Sequence, residues 1–400
     1  MKRKISLLVV IGLALVLAVV PLMSACTKSE APSGKEPIKI GVLLPLTGPY
    51  AMWGNMFKNS MELALDEAKW EAAGKPIKLV IEDEGGEDVT MALDKAKKLV
   101  QSDKVGMVMG PFYGGSAFSV MPYTSSVPIV NVKWSQPGIR KEELGNKYAF
   151  WVPQTYNDNT YPVGLYAYEV KGIKSVVTLG SDYSCGYDFM QGFTDAFKAK
   201  GGNVVQQQWA PLTEQDYTPY LSALKPADAL VLSTLGPPNH LAVIKQFGEL
   251  GLSKKMSIFI AEVGTMPPPI MQQLGDKIIG VTGVEKFMPS LESPEAKRFL
   301  QAYTNKYKEE PDDKACDAYN GMKVVLAALN TTGGDTKPDT LKQALLKVEL
   351  ELPTGKFKFS EGRIGMQPLR VCEIQKIGGK YGWKVMKEYS PEPPHYQTYP

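Results

Sequence analysis

Two histidines, four cysteines and a scatter of aromatic and hydroxyl residues in loops are the side chains of this 400-residue protein that could do chemistry. His240 follows Pro237-Pro238-Asn239 at a helix start, and His395 lies in the tail PEPPHYQTYP, read as a loose end over 391–400. Neither has a nucleophile or an acid beside it in the sequence, which disfavours a His-based hydrolase or a multi-His metal site. Cys185, Cys316 and Cys372 form no CxxC pair, which argues against a zinc or redox centre. Buried free thiols are expected, with one bridge plus a free thiol as the alternative. No GxxxxGK[ST] phosphate loop occurs anywhere. The expectation is a protein that binds rather than transforms, with no metal, no cofactor and no enzymatic activity.

The fourth cysteine points to a different chemistry. Lys2, Arg3 and Lys4 precede an apolar run from Ile5 to Val20, and Leu22-Met23-Ser24-Ala25 leads small residues up to Cys26. This is the layout of an export signal over 1–25. The small residues resemble a bacterial lipobox, with Met23 where Leu is usual, so Cys26 is expected to become the lipid-bearing first residue of the mature chain. Plain secretion and an uncleaved anchor are the alternatives, though about 16 apolar residues are short for a span of roughly 20. The signal holds three basic and no acidic residues, leaving 42 Lys plus Arg against 42 Asp plus Glu. A neutral mature chain offers no nucleic-acid groove and no basic membrane-binding face.

These residues need elements to hold them. Residues 27–37 (TKSEAPSGKEP) read as a flexible tether that, with Cys26, spans 26–37. Ile38, Ile40, Val42 and Leu44 then alternate as in a strand, and Phe57, Met61, Ala64, Leu65 and Ala68 form one helical face. Strands at Ile77–Glu82, Val105–Gly110 and Pro128–Val132 follow, with a helix at about 88–101. The pattern restarts with a strand at Ser175–Gly180, a loop SDYSCGYD, a helix at about 188–200 and strands near 204–207, 229–233, 257–260 and 279–284. Helices near 294–309, 315–330 and 338–347 precede a strand-rich end. Some 375 mature residues exceed what one core usually organises, so two domains are expected. Alternating strands and helices predict α/β architecture with parallel sheets, and in such sheets ligands meet the loops at the carboxyl ends of the strands.

Those loops carry a resemblance. IGVLLPLTGPYAMWG, VMGPFYGGSA, IVNVKWSQP and SDYSCGYD resemble the branched-chain-amino-acid type of periplasmic solute-binding protein, the type I component of ABC importers, over roughly residues 36–390. The resemblance implies two Rossmann-like lobes joined by three crossovers, with an interlobe cleft that closes on ligand. Carried over, lobe one holds 38–155 plus 286–360 and lobe two holds 156–285 plus 361–390. Together with the export signal it implies an extracytoplasmic, lipid-anchored protein, expected to be a monomer, that delivers a small ligand, expected to bear a carboxylate, to an ABC permease in the cytoplasmic membrane. Branched-chain or other apolar amino acids are the family default, and the aromatic, Lys-containing loops of this chain make an aromatic or other organic acid the alternative expectation. The alternative is a sensor of the same fold that reports to a membrane signalling partner.

Site residues follow from the same loops. Trp53 stands where the family places an aromatic residue; the alternative is a helix-start residue packed on its own lobe. Tyr113, Gly114 and Ser116 stand where small or hydroxyl residues bind a carboxylate. Lys133, Trp134 and Ser135 follow the fourth strand, where Ser135 fits the pattern and Lys133 and Trp134 depart from it. Lys133 could pair with a ligand carboxylate, or be a solvated rim lysine or the partner of a lobe-two acid. Trp53, Trp134 and Tyr113 together would line an aromatic pocket. Cys185 replaces the usual Tyr before Gly186 and reads as cleft-wall packing. Glu262, in FIAEVGT, falls near the acid that holds an α-amino group, or is an interlobe or surface acid. The run YKEEPDDKAC (307–316) reads as a solvated loop.

Overall fold

The computed structural model describes residues 35–48, 50–85, 89–135, 145–264 and 266–390. The signal, Cys26 and the tail 391–400 lie outside them. Of the tether, Lys35, Glu36 and Pro37 are described, and they are exposed and irregular. Among the described residues no helix is long and apolar enough to cross a membrane. Every element below belongs to the compact unit Pro37–Pro400.

Strand β1 (Ile38–Leu44) is buried on both faces, which explains its near-continuous apolar sequence. Ile38, Ile40, Val42 and Leu44 face one core with Phe57 and Met61, whereas Leu43 faces another with Ala92, Leu99 and Val120. Helix α1 (Ala51–Glu67) lies on the first face. The hairpin β2 (Glu71–Ala72) and β3 (Lys75–Asp83) leads to α2 (Val89–Lys97), β4 (Met107–Met109), α3 (Gly114–Ser126), β5 (Asn131–Lys133) and β6 (Ala149–Trp151). The sheet order is β2-β3-β1-β4-β5-β6, parallel apart from the β2–β3 hairpin.

The chain then crosses to a second sheet. Helix α4 (Tyr156–Glu169) is capped by Thr155, whose side chain accepts the Asp158 N–H. After it come β7 (Ser175–Ser181), α5 (Ser184–Ala199), β8 (Asn203–Ala210), α6 (Thr218–Ser222), β9 (Ala229–Ser233), α7 (Pro237–Glu249), β10 (Ser257–Val263), α8 (Pro268–Leu274) and β11 (Thr282–Glu285). Here too alternate residues serve two cores: Leu230, Leu232, Ile258 and Ile260 face one, and Val231, Phe259 and Ala261 the other. Helix α5 starts at Ser184, so Cys185 and Gly186 belong to its first turn rather than to the loop expected there.

After Glu285 the chain returns to the first sheet. Helices α9 (Pro294–Tyr307) and α10 (Asp313–Thr331) bury Phe299, Tyr303, Tyr319 and Met322 in the core that holds β1. Helix α11 (Pro338–Leu346) and a small antiparallel sheet of β12 (Glu349–Leu352), β13 (Gly355–Phe359) and β14 (Gly365–Met366) follow. The hairpin β15 (Leu369–Ile377) and β16 (Lys380–Tyr389) then completes the second sheet, ordered β16-β15-β11-β10-β9-β7-β8. The chain thus passes between the lobes three times, near 152–155, at 286 and near 367–368, as the resemblance implied. One expectation is corrected here. The run YKEEPDDKAC is only partly solvated, because Asp313, Ala315 and Cys316 are buried in the first turns of α10.

Candidate ligand-binding cleft

The loop after β1 is held by Asp83, which accepts the Leu46 N–H at 2.9 Å, the Thr47 hydroxyl at 2.6 Å and the Gly85 N–H at 3.0 Å. Burial works against that carboxylate, yet these hydrogen bonds leave it below its ordinary range. The tethered loop sets the start of α1, where the Tyr50 and Trp53 rings stack at 4.8 Å. Phe112 meets Trp53 edge-on at 5.8 Å, and Tyr113 meets Tyr50 at 5.6 Å. Four rings from the loops after β1 and β4 therefore form one aromatic step, which includes the expected Trp53 and Tyr113.

Glu84 anchors the second half of that step. Its carboxyl accepts the Phe112 N–H at 2.9 Å and the Tyr113 N–H at 3.3 Å. Burial pushes it up to about 8, against the pull of those N–H groups, of Lys133 and of the Ser116 hydroxyl. Lys133 is thus a wholly buried neighbour of Glu84 at the end of β5, not a solvated rim residue. Trp134 lies buried in the lobe-one core, 5.7 Å from Phe57, which in turn meets Phe112 at 5.0 Å, so it backs the aromatic step from inside the lobe. Ser135 is half-buried and donates to the Pro111 carbonyl at 3.5 Å, while Gly114 opens α3 half-exposed, and among the described residues no atom from another element lies within 4 Å of where a Cβ would stand.

The lobe-two wall is built around Glu262, near the end of β10 and only 7 % exposed. Gly236, at φ +90°, turns its N–H to Glu262 at 3.3 Å and its carbonyl to His240 Nδ1 at 3.0 Å. The carbonyl must accept, so neutral His240 carries its proton on Nδ1 and turns a bare Nε2 toward Glu262, 3.6 Å away. Burial pushes Glu262 up to about 7, opposed by Lys314 and Gly236 N–H, and pushes His240 down to about 4. Cys185 is close enough that, after burial itself, Glu262 and Asp188 raise its thiol pKa further, so it is an inert thiol.

Lys314, in the first turn of α10, brings the two walls together, and sequence reasoning missed it. Its Nζ lies 3.4 Å from the Val263 carbonyl and 3.3 Å from the Gly264 carbonyl of lobe two. The same ammonium stands 5.3 Å from the Trp53 ring of lobe one. Gly264 has φ +69°, and a Cβ there would come within 3.2 Å of Lys314 Nζ, so a side chain would disturb this approach. The missed signal was Asp312: its side chain accepts the Ala315 N–H at 2.8 Å, so P-D-D-K-A before an apolar run marks a helix N-cap.

Behind the cleft, the crossovers are tied to one another. Lys286 is buried between Asp313, at 3.3 Å, and Asp317, to which it donates a short hydrogen bond. Burial opposes the Lys286 charge, and the two carboxylates more than reverse that and raise its pKa. Arg370 donates to the carbonyls of Lys286 at 2.7 Å and Thr354 at 3.1 Å, and Gln154 donates to the Gln367 carbonyl at 2.6 Å.

Two α/β lobes, linked three times and lined at the carboxyl ends of both sheets, make a two-lobed binding protein. The chain belongs to the periplasmic binding protein family, which it matches over residues 37–380. Leu/Ile/Val-binding protein homolog 6 of Brucella suis is 25% identical over 350 residues, covering 85% of this chain and 88% of that protein. An ABC transporter substrate-binding protein from Sphaerobacter thermophilus superposes with a TM-score of 0.84 at 26% identity, covering 89% of this chain and 98% of that one. A solute binding protein of an ABC transporter from Rhodopseudomonas palustris, in complex with 3,4-dihydroxy benzoic acid, gives 0.82 at 25% identity, covering 91% and 100%.

Proposed function

We propose that this protein is the extracytoplasmic solute-binding component of an ABC importer, that lipid on Cys26 anchors it, and that it carries a small carboxylate-bearing ligand. The observation that carries the ligand class is the Lys314 ammonium beside a four-ring aromatic step, a cation next to an apolar, planar surface. The relatives support it from both sides, since one is named for Leu/Ile/Val and another holds a dihydroxybenzoic acid. Lobe one comprises 38–155 plus the segment from 286 to the third crossover, lobe two comprises 156–285 plus the segment after it, and they close on the ligand as a monomer. Trp53 and Tyr113 contact its body. Gly114 and Ser135 contact its polar end from lobe one, Ser116, wholly buried with its hydroxyl on Glu84, supports them from behind, and Cys185 and Glu262 line the opposite wall. Lys133 and Trp134 act from inside lobe one by holding the loops in place. Binding is the whole mechanism: the lobes close, the ligand loses its water, and the permease reads the closed form.

Thermal denaturation with a panel of aromatic acids, apolar amino acids, neutral sugars and amides tests this. A carboxylate at about a hundred times its Kd stabilises by roughly 2.7 kcal/mol. Stabilisation by sugars or amides alone would overturn the carboxylate assignment. Mass analysis of the mature N-terminal peptide tests the anchor: an unmodified Cys26, or a mature chain that begins elsewhere, refutes it.

A further inference from the structure

We propose that Lys314 is the cleft's own resident cation, that it occupies the position a ligand ammonium would need, and that the ligand is therefore a carboxylic acid without a primary ammonium group. This rests on the binding-protein reading above and narrows its ligand class.

The end of β10 is built to receive a cation. Two carbonyl oxygens, those of Val263 and Gly264, point at one spot, Glu262 lies one residue away, and the Trp53 ring covers it from the other lobe. Lys314 Nζ stands at that spot, at 3.3–3.4 Å from both carbonyls. A second ammonium there would meet a like charge in a partly desolvated place. The neighbouring acids are engaged elsewhere: Asp312 caps α10, and Asp313 takes the Phe287 N–H at 2.9 Å and Lys286 at 3.3 Å. Glu285, buried at the end of β11, is driven toward its neutral form by burial and then by Asp313.

Glu262 agrees with this independently. His240 Nε2 has no proton of its own and Glu262 Oε2 has no hydrogen-bond partner among the described residues, yet the two buried atoms face each other at 3.6 Å. One proton between them removes the conflict, and Glu262 is then not a free carboxylate waiting for an amine. An ammonium has three protons to place. With two of Lys314's directed at carbonyls, the third is free for a carboxylate whose apolar body lies on the Trp53 face.

Titration calorimetry on the full mature chain with matched pairs decides the matter: leucine against 4-methyl-2-oxopentanoate, and phenylalanine against phenylpyruvate. Each pair differs at one carbon, amine against oxo group. The oxo acid of at least one pair is expected to bind at least about tenfold more tightly than its amino acid. Lys314→Met is expected to weaken the oxo acid by about tenfold or more and to narrow the pair ratio. Lys314→Arg, which keeps the charge, retains the preference for the oxo acid. Equal affinities within the pairs, or tighter amino acids, would overturn the inference and leave the carboxylate reading standing. Binding of neither member of either pair, with stabilisation by neutral amides, would overturn both. Should Lys314→Met not fold, the unaltered protein's pair ratios still decide.

Discussion

Trp53 and Trp134 are the same residue type set to different tasks by burial. Trp134 is sealed in the lobe-one core against Phe57, whereas Trp53 is half-buried and stacked on an exposed Tyr50. Trp134→Ala is expected to cost about 3–5 kcal/mol of stability, the range for emptying an aromatic core site. Trp53→Ala is expected to lower the melting temperature little but to weaken an aromatic acid about tenfold or more, through lost stacking and apolar contact. Calorimetry and thermal melts on both variants check the contrast, and a Trp53→Ala protein that binds normally would remove Trp53 from the site. Glu262 and His240 make a second residue-scale prediction. Folded His240 protonates only near 4, against an ordinary 6.5, so its contribution is full above 6.5 and is lost as pH falls toward 4. Folded Glu262 keeps its proton up to about 7, against an ordinary 4.5, so its contribution is full below 4.5 and is lost as pH rises through 7. Cys185, Asp188 and Lys314 are the other titratable groups around the pair. Between 4.5 and 6.5 the two slopes oppose each other. Glu262→Gln is therefore expected to lose stability on acidification across this window, and His240→Asn, which can keep a donor to Gly236, to gain it. Each change is on the order of 3 kcal/mol over the full window, read from denaturant midpoints. Parallel pH profiles for both variants would contradict the coupling.

At the scale of elements, α10 does more than fill lobe one. Its first two turns present Asp313 and Asp317 to Lys286 of the crossover and Lys314 to the cleft, so one helix start fixes both the hinge and the site. Lys286→Met leaves two buried carboxyls without their cation and is expected to destabilise by about 3–5 kcal/mol. Asp317→Asn should cost less, because Asp313 still holds Lys286. Urea melts of the two variants check the order. Most strands and helices were legible because their periods are local: β1 alternates between two cores, and α1 shows one apolar face, whereas α3 and α4, each with an internal proline, and the three-residue β6 were not. The return of α9 and α10 to lobe one was not, since nothing near Pro294 says which sheet it will meet. At the candidate site, loop position alone sets Trp53, Tyr113, Glu262 and Lys133 around the cleft, but the burial of Lys133 against Glu84, 49 positions earlier, is a contact that no local pattern shows. Lys314 was hidden for a related reason. A run of mixed charge reads as solvent-facing until its acids are recognised as a cap and as partners of a lysine 27 positions away.

The whole molecule consists of two lobes that can move only about three short strands of chain, and those strands are stitched. Gln154 ties the first crossover to the third, and Arg370 ties the third to the second through the Lys286 carbonyl while its Nε pairs with Glu388 at 2.9 Å. Lys314 adds a contact between lobes at the cleft itself, which separation of the lobes must break. The energy of ligand closure therefore depends on a hinge that keeps its geometry and on a contact that does not. Arg370 bonds the crossovers and is not among the residues assigned to the ligand, so its removal tests the hinge. Arg370→Met leaves the Lys286 and Thr354 carbonyls without this donor, loosens the register between crossovers and favours open arrangements. If that shift amounts to about 1.4 kcal/mol, affinity for the ligand falls about tenfold. The loss should appear with a larger radius of gyration in small-angle scattering of the unliganded protein, and saturating ligand should restore the compact value. An Arg370→Met protein with unchanged scattering and unchanged affinity would mean that the crossovers transmit no part of closure, and that the lobes are held by the cleft contacts alone.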